Sequence, residues 1–320
     1  MNLSKSQTVV ITLNYNQNQY TLDCIKSLLE SNYSNFSIYL IDNGSTQANF
    51  EELQNNLPEN PKLKLIRINE NVGYVGGVNH GIQLAQQNGT DYFLIMNNDT
   101  IIESDAISAL VNTAQSHKNN VIVSGKVYNY DEKDTLQTIG NAKSTKGPLD
   151  FPAYVKNRRE KDIGQYDQEM EMGMLDDIFW LIPKLVFDKV GYYSDYFFLY
   201  GEQNDYALRA VKANVKLIYT PKAKLWHKEG ATTAEGVKES PKIIYWRTFA
   251  SLKLSVLHLN ENESKTFYYN LVIIRTIKKL ILIFRGKSSF QVLYAQFLAI
   301  KHFNYWKKIL YKDNGYNPFN

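Results

Sequence analysis

A chain of 320 residues can bury a substantial core and hold one large domain or two smaller ones. Its single cysteine, Cys24, excludes disulfides and cysteine-based metal sites, and no run reaches the roughly 18 apolar residues that span a bilayer. Charge is uneven: residues 241–320 carry 13 Lys and Arg against 3 Asp and Glu, a net of +10, so the overall +4 leaves −6 on residues 1–240.

The N-terminal Met-Asn-Leu-Ser-Lys-Ser-Gln has no apolar signal segment after its charge, and with one cysteine this fits a reducing, cytoplasmic setting. Thr8-Val-Val-Ile-Thr-Leu-Asn-Tyr-Asn reads as a buried strand with a polar end. An amphipathic helix follows over 20–30, where Cys24 joins Leu22, Ile25 and Leu29 as a small core residue. Ser37-Ile-Tyr-Leu-Ile-Asp is a second strand, closed by the turn Asn43-Gly44-Ser45-Thr46. A short helix over 50–57 stops before Pro58, and Leu63-Lys-Leu-Ile-Arg-Ile is the third strand. A loop over 69–77 contains Gly73, Gly76 and Gly77, which allow close backbone approach to a ligand. A helix spans 78–87.

The fourth strand begins at Asp91 as a near-continuous apolar run and stops at Asn97-Asn98-Asp99, the pattern of a strand buried on both faces of a parallel sheet. Strands alternate with helices four times in the first hundred residues, the signature of βαβ units. In such sheets ligands lie beyond the carboxyl ends of the strands, so Asp99 and two amides meet the ligand there, a hard-oxygen setting suited to Mg²⁺ or Mn²⁺. The bland reading of the same triplet is a turn or cap. Neither GxGxxG nor a GxxxxGK phosphate loop is present, which argues against a dinucleotide enzyme or P-loop ATPase. Further on, 103–117 is helical, 121–127 is a strand, and 128–174 is a weakly periodic insertion over one side of the site. Asp176-Asp177-Ile-Phe-Trp-Leu-Ile-Pro is strand-like, 184–190 is a short helix, and another helix runs from Gly201-Glu202-Gln203-Asn204-Asp205 to about 213. A strand over 215–219 and Lys224-Leu-Trp-His-Lys close the body.

Six pieces, in order, resemble family two glycosyltransferases of the GT-A fold, and more narrowly the rhamnosyl- and galactosyltransferase-like branch of bacterial surface-polysaccharide synthesis. They are Ile11-Thr-Leu-Asn-Tyr-Asn, Ile41-Asp-Asn-Gly-Ser-Thr, Asn71-Val-Gly-Tyr-Val-Gly-Gly-Val-Asn, Leu94-Ile-Met-Asn-Asn-Asp-Thr, Phe198-Leu-Tyr-Gly-Glu-Gln-Asn-Asp-Tyr-Ala-Leu-Arg and Trp226-His227-Lys228. The resemblance covers about 7–235. It implies a mostly parallel Rossmann-like α/β sheet flanked by helices. A catalytic domain over 1–240 is expected, with nucleotide-sugar binding over about 7–127 and the acceptor side over about 128–240. It also implies transfer of a sugar from a UDP- or dTDP-linked donor, with inversion, to a glycan or lipid-linked hydroxyl. Asp42 would contact the nucleobase, and Asn14, Asn71 and Gly73 would line the nucleoside pocket. Asn97-Asn98-Asp99 takes the place of the DXD motif, leaving Asp99 to the metal and His227 beside it.

A growing diphosphate charge is neutralised by a divalent cation without proton transfer, and carboxylate plus imidazole suits Mn²⁺. Inversion also needs a general base for the acceptor hydroxyl. The family's second carboxylate is replaced by Gln203, which cannot take the proton. Glu202 is favoured, with Asp205 as an alternative, or Asp176 or Asp177 reaching in from the acceptor side; Asp205 is as well explained by pairing with Arg209 at i+4. Residues 241–320 read as a basic, aromatic helical region: either an interfacial surface for anionic lipid, peripheral on the inner membrane face, or a subdomain packing on the body or on a second subunit of a homo-oligomer. No nucleic-acid reading motif accompanies it. The competing functions are a catalytically impaired nucleotide-sugar-binding protein, suggested by Gln203 and Asn97, and a nucleotidyltransferase, which lacks its phosphate loop here.

Overall fold

The computed structural model describes residues 6–144, 149–228 and 240–319. The first five residues of the chain, four residues of the 128–174 stretch and the end of the range resembling the family lie outside them.

Eleven strands form one sheet. They are β1 (Thr8–Asn14), β2 (Phe36–Asn43), β3 (Leu63–Ile68), β4 (Tyr92–Met96), β5 (Thr100–Ile102), β6 (Val121–Asn129), β7 (Thr135–Thr138), β8 (Glu160–Lys161), β9 (Met170–Glu171), β10 (Phe179–Pro183) and β11 (Lys216–His227). Their main path runs β3-β2-β1-β4-β10-β6-β11-β5. The β1–β2, β2–β3, β1–β4 and β6–β11 pairs are parallel; β10 lies antiparallel to β4, and β5 antiparallel to β11. Every residue of β4 is buried, as its unbroken apolar run requires. The helices α1 (Asn18–Leu29), α2 (Gln47–Asn56), α3 (Gly73–Gln86) and α4 (Ala106–Ser116) connect the early strands, and α5 (Lys184–Val190) and α6 (Glu202–Lys212) lie in the chain between β10 and β11. Ile25 and Leu28 from α1 and Leu110 from α4 pack with Leu40, Leu94 and Leu181 in one buried cluster. Cys24 is fully buried there, as expected.

Two features differ from the sequence expectation. The glycine-rich segment is not a loop up to residue 77, because α3 starts at Gly73. The glycines inside α3 serve packing: a Cβ on Gly77 would fall on the side chain of Leu13, and one on Gly81 would sit 2.7 Å from Ile11. They let the helix lie close on β1. The 128–174 stretch is also not a loose cover, since β7, β8 and β9 join the sheet. Buried Lys126 Nζ anchors it through Asp162 (2.7 Å) and Asp167 (2.5 Å). Such a buried cation is tolerated because both carboxylates pair with it.

By packing, residues 6–193 and 209–228 form one unit, and residues 194–208 group with the helices from 241 onward in a second. Residues 194–208, counted with the body in the sequence reading, thus pack with the C-terminal region. That second unit contains α7 (Pro241–His258), α8 (Glu261–Tyr269), a π-type turn (Asn270–Ile274), α9 (Arg275–Phe284) and α10 (Phe290–Ile309). Its core holds Trp246, Phe249, Leu252, Phe303 and Trp306, with Phe198 stacked on Trp246. Lys253 Nζ is sealed inside, donating to the Tyr196 carbonyl (2.6 Å) and to Asp313 Oδ2 (2.5 Å).

The close approach of α3 to β1 gives a stability prediction. Gly77→Val should lower the free energy of unfolding by about 1–3 kcal/mol through overpacking against Leu13. A urea titration would show a lower midpoint at unchanged slope, whereas Gln83→Ala on the exposed face of α3 should stay within about 0.5 kcal/mol.

Candidate functional site

Parallel strands deliver their polar ends to one edge of the sheet, and register decides which side chains meet. Asn14 aligns with Asp42 across β1 and β2. Asn98 Nδ2 donates to Thr21 Oγ1 (2.8 Å), and Thr21 Oγ1 donates to Asn14 Oδ1 (2.8 Å). Asn14 Nδ2 then donates to Asp42 Oδ2 (3.0 Å), while Asp42 Oδ1 accepts from the Ser45 backbone (3.2 Å). Asn14, Thr21 and Asp42 have no exposed surface, so this chain of bonds is a satisfied floor that orders the strand ends. Thr21 was invisible in the sequence, because a threonine within an amphipathic helix carries no signal of its own. Asn71 is exposed and acts on the start of α3: its Oδ1 accepts from Gly73 N (2.9 Å) and Asn43 Nδ2 (3.3 Å). Gly73 adopts φ of +77°, a backbone state glycine reaches without strain.

The expected metal residues do come together. Antiparallel pairing of β5 with β11 places Thr100 opposite His227, which sets His227 beside Asp99. Asp99 Oδ1 lies 3.2 Å from His227 Nε2, and both residues are buried. The contact is close but not aligned as a hydrogen bond, and Oδ1 has no other hydrogen-bond partner among the described residues. His227 Nδ1 sits 2.9 Å from Oε1 of Gln137, a fully buried residue of β7. Asn97 reaches the same edge: its backbone N donates to the Ile178 carbonyl (3.0 Å), and its carbonyl accepts from Thr100 Oγ1 (2.7 Å). Next to the pair, Lys228 Nζ lies 4.5 Å from the ring centre of Tyr20 and 5.2 Å from that of Tyr130. These three residues, with Asp23 and Asp99, border a shallow pocket.

Two protein ligands suit Mg²⁺ or Mn²⁺ bound mainly by phosphate and water, which needs only one or two side chains. Among the described residues no three His, Cys, Asp or Glu side chains gather into a self-sufficient metal site. The donor set therefore fits an ion that arrives with a phosphorylated ligand.

Asp177 lies just before β10, with its Oδ2 shut off from solvent. Burial raises its carboxyl to about 7; the neighbouring Asp176 charge adds to this, and the Tyr74 hydroxyl works against it. Burial likewise pushes the Cys24 thiol up to about 12, so it is no nucleophile. In the second unit, Glu202 and Asp205 stand in the first turn of α6 (Glu202–Lys212) and are buried. Asp205 Oδ1 pairs with His258 Nε2 at 2.8 Å, a partner from α7 that sequence spacing could not suggest. Arg209, the expected partner of Asp205, donates to the carbonyls of Val190 and Tyr192, at 2.9 Å each.

A mostly parallel α/β sheet with acidic and amide residues gathered at its strand ends is the arrangement in which such sheets bind ligands, and comparison with known proteins specifies the family. Glycosyl transferase family 2 matches residues 9–191, more than half of the chain, and the chain belongs to that family. Glycosyltransferase GlyG of Streptococcus pneumoniae is 28% identical over 41% of this chain and 42% of its own length. The poly-beta-1,6-N-acetyl-D-glucosamine synthase of Staphylococcus epidermidis is 23% identical over 49% of this chain and 41% of its own. The chain thus spans about two fifths of these two relatives. An N-acetylglucosaminyl-diphospho-decaprenol L-rhamnosyltransferase of Mycobacterium tuberculosis is 24% identical over 70% of this chain and 76% of its own. A crystal structure of GalNAc-T7 with UDP, GalNAc and Mn²⁺ shares the fold at a TM-score of 0.57, with 14% identity over 95% of this chain and 58% of that one.

The raised carboxyl of Asp177 has a signed effect on stability. Between the unfolded carboxylate range and about pH 7 the folded state binds the extra proton, so stability falls as pH rises through that window and levels off above it. Asp177→Asn removes this slope. Discounted for the partial exposure of the residue, the variant should gain about 1–3 kcal/mol on wild type between pH 5 and pH 8, measured by urea unfolding at both pH values.

Proposed function

We propose that the chain is an inverting glycosyltransferase that moves a sugar from a UDP- or dTDP-linked donor to a hydroxyl of a glycan or lipid-linked acceptor in cell-surface polysaccharide synthesis. The observation that carries this is the buried, unaligned approach of Asp99 Oδ1 to His227 Nε2 at the strand ends. With Nε2 unprotonated, the two lone pairs suit a cation beside them. Mn²⁺ or Mg²⁺ bound there would supply positive charge for the leaving diphosphate. Asp99 and His227 would hold the ion. Lys228, kept beside Asp99 by the Tyr20 and Tyr130 rings, adds a fixed charge facing the phosphates. The nucleoside half lies over the β1 and β2 ends, with Asn14 and Asp42 as its floor, Asn71 and Gly73 at its side, and Asn97 and Asn98 toward the diphosphate. The mycobacterial rhamnosyltransferase relative supports a deoxyhexose donor and a diphospho-lipid acceptor.

The acceptor oxygen forms its bond to the anomeric carbon as the bond to the diphosphate breaks, and its proton passes to a carboxylate. We assign that base to Glu202, which stands in the first turn of α6, where the helix dipole favours a charged carboxylate. One observation favours a second assignment: the Asp177 carboxyl, at about 7, is matched to proton abstraction near neutral pH. Asp205, paired with His258, instead orients α6 on α7.

The lipid-linked acceptor agrees with the surface of α9. Ile273, Ile277, Ile281 and Phe284 are spaced four, four and three residues apart and all exposed, Phe284 at 85%. Exposed Lys278, Arg285 and Lys287 flank them, the make-up of a helix lying on anionic lipid. No helix among the described residues is long and apolar enough to cross a membrane.

Three measurements test this reading. Nucleoside diphosphate release from UDP- and dTDP-sugars should require Mn²⁺ or Mg²⁺, and Asp99→Asn should lower it by about 10²–10³-fold; release unchanged by EDTA would sink the cation assignment, and tight donor binding without release would favour the impaired binding protein. For the base, Glu202→Gln should abolish turnover while Asp177→Asn retains it; the reverse pattern transfers the role to Asp177. Flotation with phosphatidylglycerol vesicles should be lost in an Ile277→Glu, Ile281→Glu double variant, and equal flotation of both proteins would rule out the α9 surface.

A further inference from the structure

Gln137 owes its position to an irregularity in the sheet. Val127 pairs with Thr138 and Tyr128 with Leu136, so Gln137 is the extra residue of a β-bulge in β7. A bulge turns a side chain out of the regular alternation. Here the turned side chain, fully buried, brings Oε1 to 2.9 Å from His227 Nδ1. A carboxamide oxygen only accepts, so this contact requires a proton on Nδ1. Neutral imidazole carries one ring proton, and Nε2 is then bare, with its lone pair available at the Asp99 side. The opposite amide orientation would place the proton on Nε2, with Asp99 Oδ1 as its acceptor at 3.2 Å. That contact lacks hydrogen-bond alignment. In either orientation one amide atom of Gln137 is left without a hydrogen bond, so the geometry at Nε2 decides between them.

We infer that Gln137 is a positioning residue: it locks His227 in the Nδ1–H tautomer and so presents Nε2 as a ready cation ligand beside Asp99. The inference rests on Asp99 and His227 holding the ion. An outer hydrogen bond of this kind fixes ring orientation and raises ligand basicity, and its loss costs about 10–100-fold in metal affinity. The residue comes from the 128–174 stretch, which ties the cation end of the site to the segment pinned by Lys126.

The tautomer can be read directly in the metal-free full-length protein. Long-range ¹H–¹⁵N correlation on ¹⁵N-histidine protein distinguishes the two neutral tautomers from each other and from imidazolium, with His227→Gln assigning the signal. Wild type should show the proton on Nδ1. Gln137→Leu should move it to Nε2 and weaken Mn²⁺ binding in the presence of UDP or dTDP, followed by water-proton relaxation, by about 10–100-fold. Gln137→Glu, which can still accept from Nδ1, should keep both properties near wild type. A proton on Nε2 in wild type overturns the inference, as does a folded Gln137→Leu protein whose Mn²⁺ affinity stays within about twofold of wild type. Should Gln137→Leu not fold, the wild-type tautomer and Gln137→Glu decide. An Nδ1–H wild type that binds no Mn²⁺ even with UDP or dTDP present would defeat the cation reading alone and leave the tautomer lock standing.

Discussion

The site depends on one antiparallel pairing. The three residues of β5 lie against the end of β11, and this register sets His227 beside Asp99, from positions 128 residues apart. A slip of one residue would send His227 to the other face of the sheet. The buried β4 run fixes where Asp99 emerges, and the long β11 fixes where His227 arrives. Neither strand could build the pair alone, and β6 holds β11 at the correct height over nine aligned residues. The geometry of the candidate site is a property of strand registry before it is a property of any side chain.

The same economy governs the polar floor. Burying Asn14, Thr21 and Asp42 without partners would cost several kcal/mol; linked to one another they lose little. Their mutual satisfaction leaves the edge rigid, so a ligand meets a surface already organised for it. The second unit follows the opposite principle. Lys253 and Asp313 form a buried ion pair whose attraction has to offset the desolvation of both charges. Burial pulls the Lys253 amine below its usual range, and the Asp313 carboxylate acts against that pull.

Much of this was legible from residues alone, for physical reasons. Long buried strands such as β1, β2 and β4 announce themselves by apolar runs, and their polar stops mark the ligand edge. Asp99 and His227 stood out through the ordered motifs that contain them, because alone a strand-end carboxylate reads as well as a turn or cap, and a lone histidine as a core-capping residue. Glycine did not speak clearly: at 77, as at 81, it permits helix–sheet contact, but in sequence Gly77 reads as the end of a loop. The short β7, β8 and β9 are too brief to show alternation, which is why 128–174 passed for an irregular cover. Thr21 and Gln137 are neutral residues whose roles arise from registry and a bulge, and no local pattern encodes either. Asp205 meets His258 from another helix, a pairing set by tertiary packing that spacing along one helix does not encode.

The sealed thiol of Cys24 has a kinetic consequence. It lies between α1 and the Asn97 carbonyl, 3.8 Å away, so a reagent can reach it only after α1 lifts from the end of β4. Its modification rate then measures how often that layer opens, independent of reagent strength once opening is limiting. The lone sulfur thus serves as a built-in clock for the breathing of the strand end that carries Asp99.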